Sequence, residues 1–194
     1  MSIMLAYKKG SSVYMATDTA IISYGNRMSD IAEDNLKIRK SPSGILVGIT
    51  GDACVRQEIF TLLDEFTLDK YGDLTQKHII SKIIPEIYFH LLDSGMLKMP
   101  KDEPPYMDDR ILLVYKDKIF LINYNFAVYR YKKYISIGDA SESAAYSLAH
   151  TDETKDISEQ LVKMLRVAER HCKNVAAPFV TIDTEESGFR LGEE

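Results

Sequence analysis

Residues 1–18 have the sequence MSIMLAYKKGSSVYMATD, and this stretch decides the fold that we predict. It holds two short apolar runs, at 3–7 and 13–17, on either side of a polar turn at 8–12 that contains Gly10. Short apolar runs joined by a few turn residues with glycine are typical of a β-hairpin. Both runs are apolar on both faces, so we expect other layers of the protein to cover the hairpin on each side.

Ser2 comes immediately before the first predicted strand. A core strand so near a terminus is unusual, because chain ends normally fray. We expect no leader segment, and removal of Met1 would then leave Ser2 with a free α-amine beside its own hydroxyl. Such a residue combines a nucleophile with its base. A serine at position 2 is common, so this hypothesis depends on the residues that accompany it.

The composition is that of a soluble globular protein. The 194 residues are 45% apolar and 27% charged, which fits one domain spanning 1–194. The net charge of −5 argues against nucleic acid or an anionic membrane as the main partner. No apolar run is long enough to span a bilayer, and the N-terminus lacks the pattern of a signal peptide.

The cysteines and histidines form no recognisable metal or cofactor motif. Cys54 and Cys172 have no motif spacing, so we expect reduced thiols and a cytoplasmic location. The four histidines are scattered, without the spacing of metal ligands. The glycines at 48–51 lack the Gly-Lys-Ser/Thr ending of a phosphate loop. We therefore expect neither a metal nor a cofactor.

Hydrophobic periodicity predicts the remaining elements. A buried strand at 45–51 leads into an amphipathic helix at about 52–68, with Asp52 as its N-cap. A second helix extends to about Leu91; Asp73 and Gln76 resemble its capping box, and Pro85 is expected to kink it. The other predicted elements are strands at 19–23, 36–39, 110–115, 119–122, 127–129, 134–137 and 179–182, and helices at about 141–149 and 156–168.

The order of these elements predicts an α+β protein. Strands come first, then two helices, more strands, two further helices and a last strand. Strands in hairpin blocks with helices in pairs favour two antiparallel sheets packed face to face, with a helix layer outside each.

Three further residues could complete a site around Ser2. Asp18 ends the second strand, Lys37 lies on a short strand, and Gly48 lies in the strand before the first helix. A lysine held by a carboxylate would favour a neutral α-amine, and a glycine N–H could stabilise an oxyanion. Spacing alone favours the plainer alternative of a turn aspartate, a solvated lysine and a packing glycine.

Three segments resemble the proteasome β-subunit and HslV family of N-terminal nucleophile (Ntn) hydrolases. Residues 13–18 are similar to the family's second strand with its acidic residue, and 35–38 to the segment with its active-site lysine. Residues 45–53 are similar to the glycine strand that supplies the oxyanion hole. The resemblance is strongest over 2–66 and weaker over 109–150.

This resemblance implies a four-layer αββα sandwich and a peptidase. Ser2 falls at the terminal nucleophile, while Asp18, Lys37 and Gly48 fall at the acidic partner, the lysine and the oxyanion glycine. The family hydrolyses polypeptides inside a homo-oligomeric ring that an ATP-dependent unfoldase feeds. The resemblance thus implies an N-terminal serine endopeptidase in such a ring.

The chain also departs from the family pattern. Serine replaces threonine, and Gly138-Asp139-Ala140 stands where the family has Gly-Ser-Gly. Arg170 or His171 stands where the late helix carries a supporting aspartate. Two alternatives therefore stay open: a non-catalytic structural or assembly subunit of the same fold, and an Ntn amidase that acts on a small molecule.

Overall fold

The hairpin predicted at the start of the chain is present. In the computed structural model, strand β1 (Ile3–Lys9) pairs antiparallel with β2 (Ser12–Asp18), with Met4 opposite Thr17. The side chains at 3–6 are buried on both faces of the strand, as expected. The structure describes residues 2–23, 26–28, 35–66, 68, 73–185 and 188–192.

Two antiparallel five-stranded sheets form the centre of the protein. The first has the order β10-β1-β2-β11-β12, and the second has the order β5-β6-β7-β8-β9. A separate two-stranded ribbon joins β3 to β4. The remaining strands are β3 (Ile21–Ser23), β4 (Asn26–Met28), β5 (Ile38–Lys40), β6 (Leu46–Thr50), β7 (Arg110–Tyr115), β8 (Lys118–Ile122), β9 (Val128–Tyr131), β10 (Tyr134–Gly138), β11 (Phe179–Asp183) and β12 (Arg190–Gly192).

The helices lie where the periodicity predicts them. They are α1 (Ala53–Glu65), α2 (Gln76–His78), which continues through a π-helical turn (Ile79–Ile83) into α3 (Ile84–Asp93), then α4 (Ser141–Ala149) and α5 (Ile157–His171). Pro85 lies in the first turn of α3, directly after this π-helical turn, and the kink expected there stays a prediction. Among the described residues, no helix is both long and apolar enough to cross a bilayer.

The ends of two helices test the predicted caps. The prediction for α1 is confirmed, since the Asp52 side chain accepts a hydrogen bond from the Cys54 N–H at 2.7 Å. The capping box at Asp73 is wrong, because Thr75 caps α2 by accepting from the His78 N–H. Asp73 instead forms an ion pair with Lys118 of β8.

Three apolar clusters establish the layer order. One lies between the sheets and includes Met4, Met15 and Leu112. A second joins the β5–β9 sheet to α1 and α3, and the third joins the other sheet to α4 and α5. Each sheet is thus covered by the other sheet on one face and by helices on the other. The predicted α+β sandwich with two antiparallel sheets between helix layers is confirmed.

Candidate active site

Ser2 is fixed by the strand that pairs with β1. Ile3 lies opposite Gly138, and the Ser2 carbonyl accepts a hydrogen bond from the Asp139 N–H at 2.8 Å. Gly138 has φ +89°, and a Cβ there would overlap the Ser2 carbonyl oxygen. Glycine alone tolerates both the backbone angle and the close approach. The end of β10 therefore holds Ser2 in place, with the residue only 3% exposed.

Asp18 joins Lys37 to the residue that follows Ser2. Its Oδ1 accepts from the Ile3 N–H at 3.1 Å, and its Oδ2 accepts from Lys37 Nζ at 2.8 Å. The side chains of both charged residues are buried, with 0% and 2% of their surface exposed. The plainer alternative of a turn aspartate and a solvated lysine therefore does not describe them. The fold thus binds the Asp18–Lys37 pair to the backbone of Ile3, the residue that follows Ser2.

Burial dominates the electrostatics of this pair. It raises the pKa of Asp18, against the opposing charge of Lys37 and the hydrogen bonds from Lys37 and from the Ile3 backbone. It lowers the pKa of Lys37, against the opposing charge of Asp18. The charge of Arg56 lowers the pKa of Lys37 further, and the charge of Asp139 raises it. Lys37 therefore releases its proton more readily than an exposed lysine does.

Gly48 lies in the middle of β6, between Ile38 and Leu112 of the neighbouring strands. Its Cα faces the other sheet, where an added Cβ would overlap Met4 Sδ and lie 2.8 Å from Met15 Cε. Gly48 thus permits the close approach of β6 to β1 at Met4, which lies two residues after Ser2 in the sequence. A packing role is evident here, and the assignment of its N–H as an oxyanion donor stays a prediction.

A cleft of about 320 Å³ opens beside Ser2. Its walls come from the end of β6, the segment before β7, the start of the loop after β8, and the end of β10. The Tyr106 and Tyr124 rings meet edge to face in this wall, with their centroids 6.4 Å apart. Residues that line the cleft include Ser2, Thr50, Gly51, Tyr106, Tyr124 and Asp139. Ser2 therefore forms part of the wall of this cleft.

The sequence did not identify the side chains that contact Asp139. Arg170 and His171 are exposed at the end of α5. Asn174, in the loop after this helix, donates to Asp139 Oδ2 at 2.8 Å, and Cys172 Sγ lies 3.9 Å from the same oxygen. No periodicity marks a loop residue of this kind, so only the folded chain shows the contact.

Two further buried charges near the site were also missed. Arg56 belongs to the buried face of α1 with Phe60 and Leu63, and its charge acts on both Lys37 and Asp109. The sequence does contain a signal for the burial of Arg56, because Arg56 precedes Phe60 and Leu63 at helical spacing and so shares their face of α1.

In the described part of the chain, no group of three or more His, Cys, Asp or Glu side chains is placed to hold a metal ion.

Comparison with known proteins gives structural neighbours only. No protein-family model matches the sequence, and no curated protein matches it either. BPH from Thiobacillus denitrificans, in complex with epoxomicin, superimposes with a TM-score of 0.71 at 17% identity, covering 93% of this chain and 97% of that chain. Anbu (ancestral beta-subunit) from Yersinia bercovieri gives 0.70 at 11% identity, covering 97% of this chain and 86% of that chain. These likenesses support a proteasome-β-like fold.

Proposed function

We propose that this chain is a proteasome-like peptidase subunit that uses Ser2 as its nucleophile after Met1 is removed. The observation that carries the proposal is the bridge through Asp18, which binds both Lys37 Nζ and the backbone N–H of Ile3. A buried ion pair tied to the residue after a serine is an arrangement that a purely structural hairpin does not need.

The proposed reaction is acyl transfer followed by hydrolysis. The Ser2 hydroxyl attacks a peptide carbonyl while the Ser2 α-amine accepts its proton. Collapse of the tetrahedral intermediate breaks the C–N bond, and the proton passes to the departing amine. Water, with the same α-amine as base, then hydrolyses the ester on Ser2 and releases the second product.

The neighbouring groups would support each step. An α-amine has an ordinary pKa of roughly 8, and the cationic Lys37 would favour its neutral, basic form. Asp18 would hold Lys37 in place. The N–H of Gly48 is our proposed donor to the oxyanion.

We further propose that the substrate is a polypeptide and that the subunits form a homo-oligomeric ring in the cytoplasm, fed by an ATP-dependent unfoldase. The fold of the neighbours supports the ring. The apolar side chains of Ile80 and Phe89, 51% and 60% exposed on the π-helical turn and α3, give it a surface that a neighbouring subunit could cover.

One observation favours the alternative of a non-catalytic subunit. Asp139 donates its N–H to the Ser2 carbonyl, and its carboxylate acts on Lys37. A carboxylate at this point would help to keep a nearby α-amine protonated, and a protonated amine is no base.

The decisive experiment combines intact mass with covalent labelling. If the proposal holds, the purified protein lacks Met1 and gains one epoxomicin, the compound bound in the BPH structure, at Ser2. The Ser2→Ala variant should stay unlabelled. A protein that retains Met1, or that lacks Met1 and shows neither labelling nor peptide hydrolysis with or without an unfoldase, would instead be a structural subunit.

A further inference from the structure

Asp109 is a buried carboxylate that the proposed reaction does not use. It comes immediately before β7 and is 1% exposed. Its two sequence neighbours, Asp108 and Arg110, both line the cleft beside Ser2. The Asp109 side chain is buried in the protein, where an isolated carboxylate is unfavourable unless it is bound to a partner.

The partner is the turn between β6 and α1. Asp109 Oδ1 accepts from the backbone N–H of Asp52 at 2.7 Å. The preceding residue, Gly51, has φ +130°, and a Cβ there would overlap Oδ1 and lie 2.7 Å from Asp109 Cγ. The carboxylate therefore sits directly against the Gly51 backbone. Thr50 and Gly51 are the residues of this turn that form the cleft wall next to Ser2.

Charged neighbours connect the same carboxylate to the Asp18–Lys37 pair. Burial raises the pKa of Asp109 to about 6, helped by the charges of Asp52 and Asp108 and opposed by the Asp52 N–H and by Arg56. Arg56, buried in the first turn of α1, also acts on Lys37. These groups, from the turn, from α1 and from the segment before β7, are the ones that set the charge state of Asp109.

We propose that Asp109 is a positioning residue that fixes the backbone of Thr50, Gly51 and Asp52 against Ser2. This inference rests on the proposed function, because the turn needs this accuracy only if a substrate carbonyl is held there. Near a reacting centre, a misplacement of about 1 Å can reduce a rate on the order of a hundredfold.

The test compares Asp109→Ala and Asp109→Asn with Ser41→Ala. The alanine removes the acceptor, whereas the amide oxygen of asparagine can still accept from the Asp52 N–H. Ser41 is the matched control, since its Oγ accepts from the Ile45 N–H at 3.1 Å at the other end of β6, away from the cleft. Each variant is assayed for peptide hydrolysis across pH and for amide hydrogen exchange of the residues at 50–52.

We expect Asp109→Ala to lower kcat/KM by about tenfold to a hundredfold and to speed exchange of the Asp52 amide. Asp109→Asn should keep kcat/KM within a few-fold of wild type at pH values above about 7. Its pH–rate profile should lack the transition near pH 6 that titration of the Asp109 carboxyl group produces in wild type. Ser41→Ala should change neither kcat/KM nor the exchange rate of the Asp52 amide.

Equal losses of activity in Asp109→Ala and Ser41→Ala, with unchanged exchange at Asp52, would overturn the proposal. So would an Asp109→Asn variant with the wild-type pH profile, a comparison that is available even if the alanine variant does not fold. If wild type hydrolyses nothing, the proposed function fails. In that case, unchanged exchange at Asp52 in Asp109→Ala relative to wild type would separately refute the effect of Asp109 on the turn.

Discussion

Replacing Lys37 with methionine leaves a buried carboxylate without its cation. Lys37 Nζ is 2.8 Å from Asp18 Oδ2, and the two side chains are 2% and 0% exposed. Removal of one partner from a buried ion pair typically destabilises a protein by about 3–5 kcal/mol. We expect a loss of that size for Lys37→Met near neutral pH, since only backbone donors such as the Ile3 N–H would then satisfy Asp18.

The loss should depend on pH in a definite direction. The charge and hydrogen bond of Lys37 oppose the effect of burial on the pKa of Asp18. Without Lys37, that pKa therefore rises further above its ordinary value of 3.8. A carboxyl group with a raised pKa in the folded state contributes stability that is full below its unfolded pKa and lost as pH rises through the folded one. Lys37→Met should therefore be least destabilised near pH 4 and most destabilised above the raised pKa of Asp18.

Urea unfolding at fixed protein concentration measures this effect, and two variants control it. Lys8→Met removes the cation of the partly exposed Lys8–Asp117 pair, where we expect a loss of no more than about 1 kcal/mol. Asp18→Asn combined with Lys37→Met removes both charges and should recover much of the stability that Lys37→Met loses. The reasoning is refuted if Lys37→Met costs no more than Lys8→Met, or if the double variant is as unstable as Lys37→Met.

Three further predictions concern the residues around Ser2. Gly48→Ala should destabilise the protein by about 1–3 kcal/mol, because the added methyl group would meet Met4 Sδ and Met15 Cε. Adding Met4→Ala to the same chain should restore part of the lost stability, measured by thermal unfolding, and no restoration would count against this contact. Gly138→Ala should reduce epoxomicin labelling of Ser2, because φ is +89° and a Cβ would press on the Ser2 carbonyl; labelling at the wild-type rate would contradict that geometry. Asp139→Asn should extend hydrolysis to lower pH, since loss of the carboxylate lowers the pKa of the Ser2 α-amine and leaves the amine neutral, and so able to accept a proton, at lower pH. An unchanged pH–rate profile would show that Asp139 does not act on the amine.

Local patterns were sufficient to predict the elements that local interactions form. The hairpin of β1 and β2 follows from two apolar runs and a glycine turn, and the start of α1 follows from Asp52 as a cap. The capping box at Asp73 failed because a distant residue, Lys118 of β8, binds that carboxylate and leaves the cap to Thr75. Local sequence cannot reveal a competitor 45 residues away.

The candidate site also has parts that the sequence predicts and parts that appear only in the folded chain. The resemblance to a known family assigned roles in one site to Ser2, Asp18 and Lys37, whereas spacing alone favoured a solvated lysine. Burial of Lys37 depends on the second sheet closing over the hairpin, which no short window of sequence contains. The Asn174–Asp139 contact and the Asp109 bond to the Asp52 N–H join segments 35 and 57 residues apart, so they appear only in the folded chain.

The most direct test of the central claim is the rate of peptide hydrolysis by protein that lacks Met1, compared between wild type and Ser2→Ala. Loss of the hydroxyl should reduce hydrolysis of a small fluorogenic peptide on the order of a hundredfold or more, while Ser2→Thr keeps a hydroxyl beside the amine and stays active. Folding and assembly of each variant are checked by circular dichroism and sedimentation. A Ser2→Ala protein that hydrolyses the peptide as fast as wild type would contradict the assignment of Ser2 as the nucleophile.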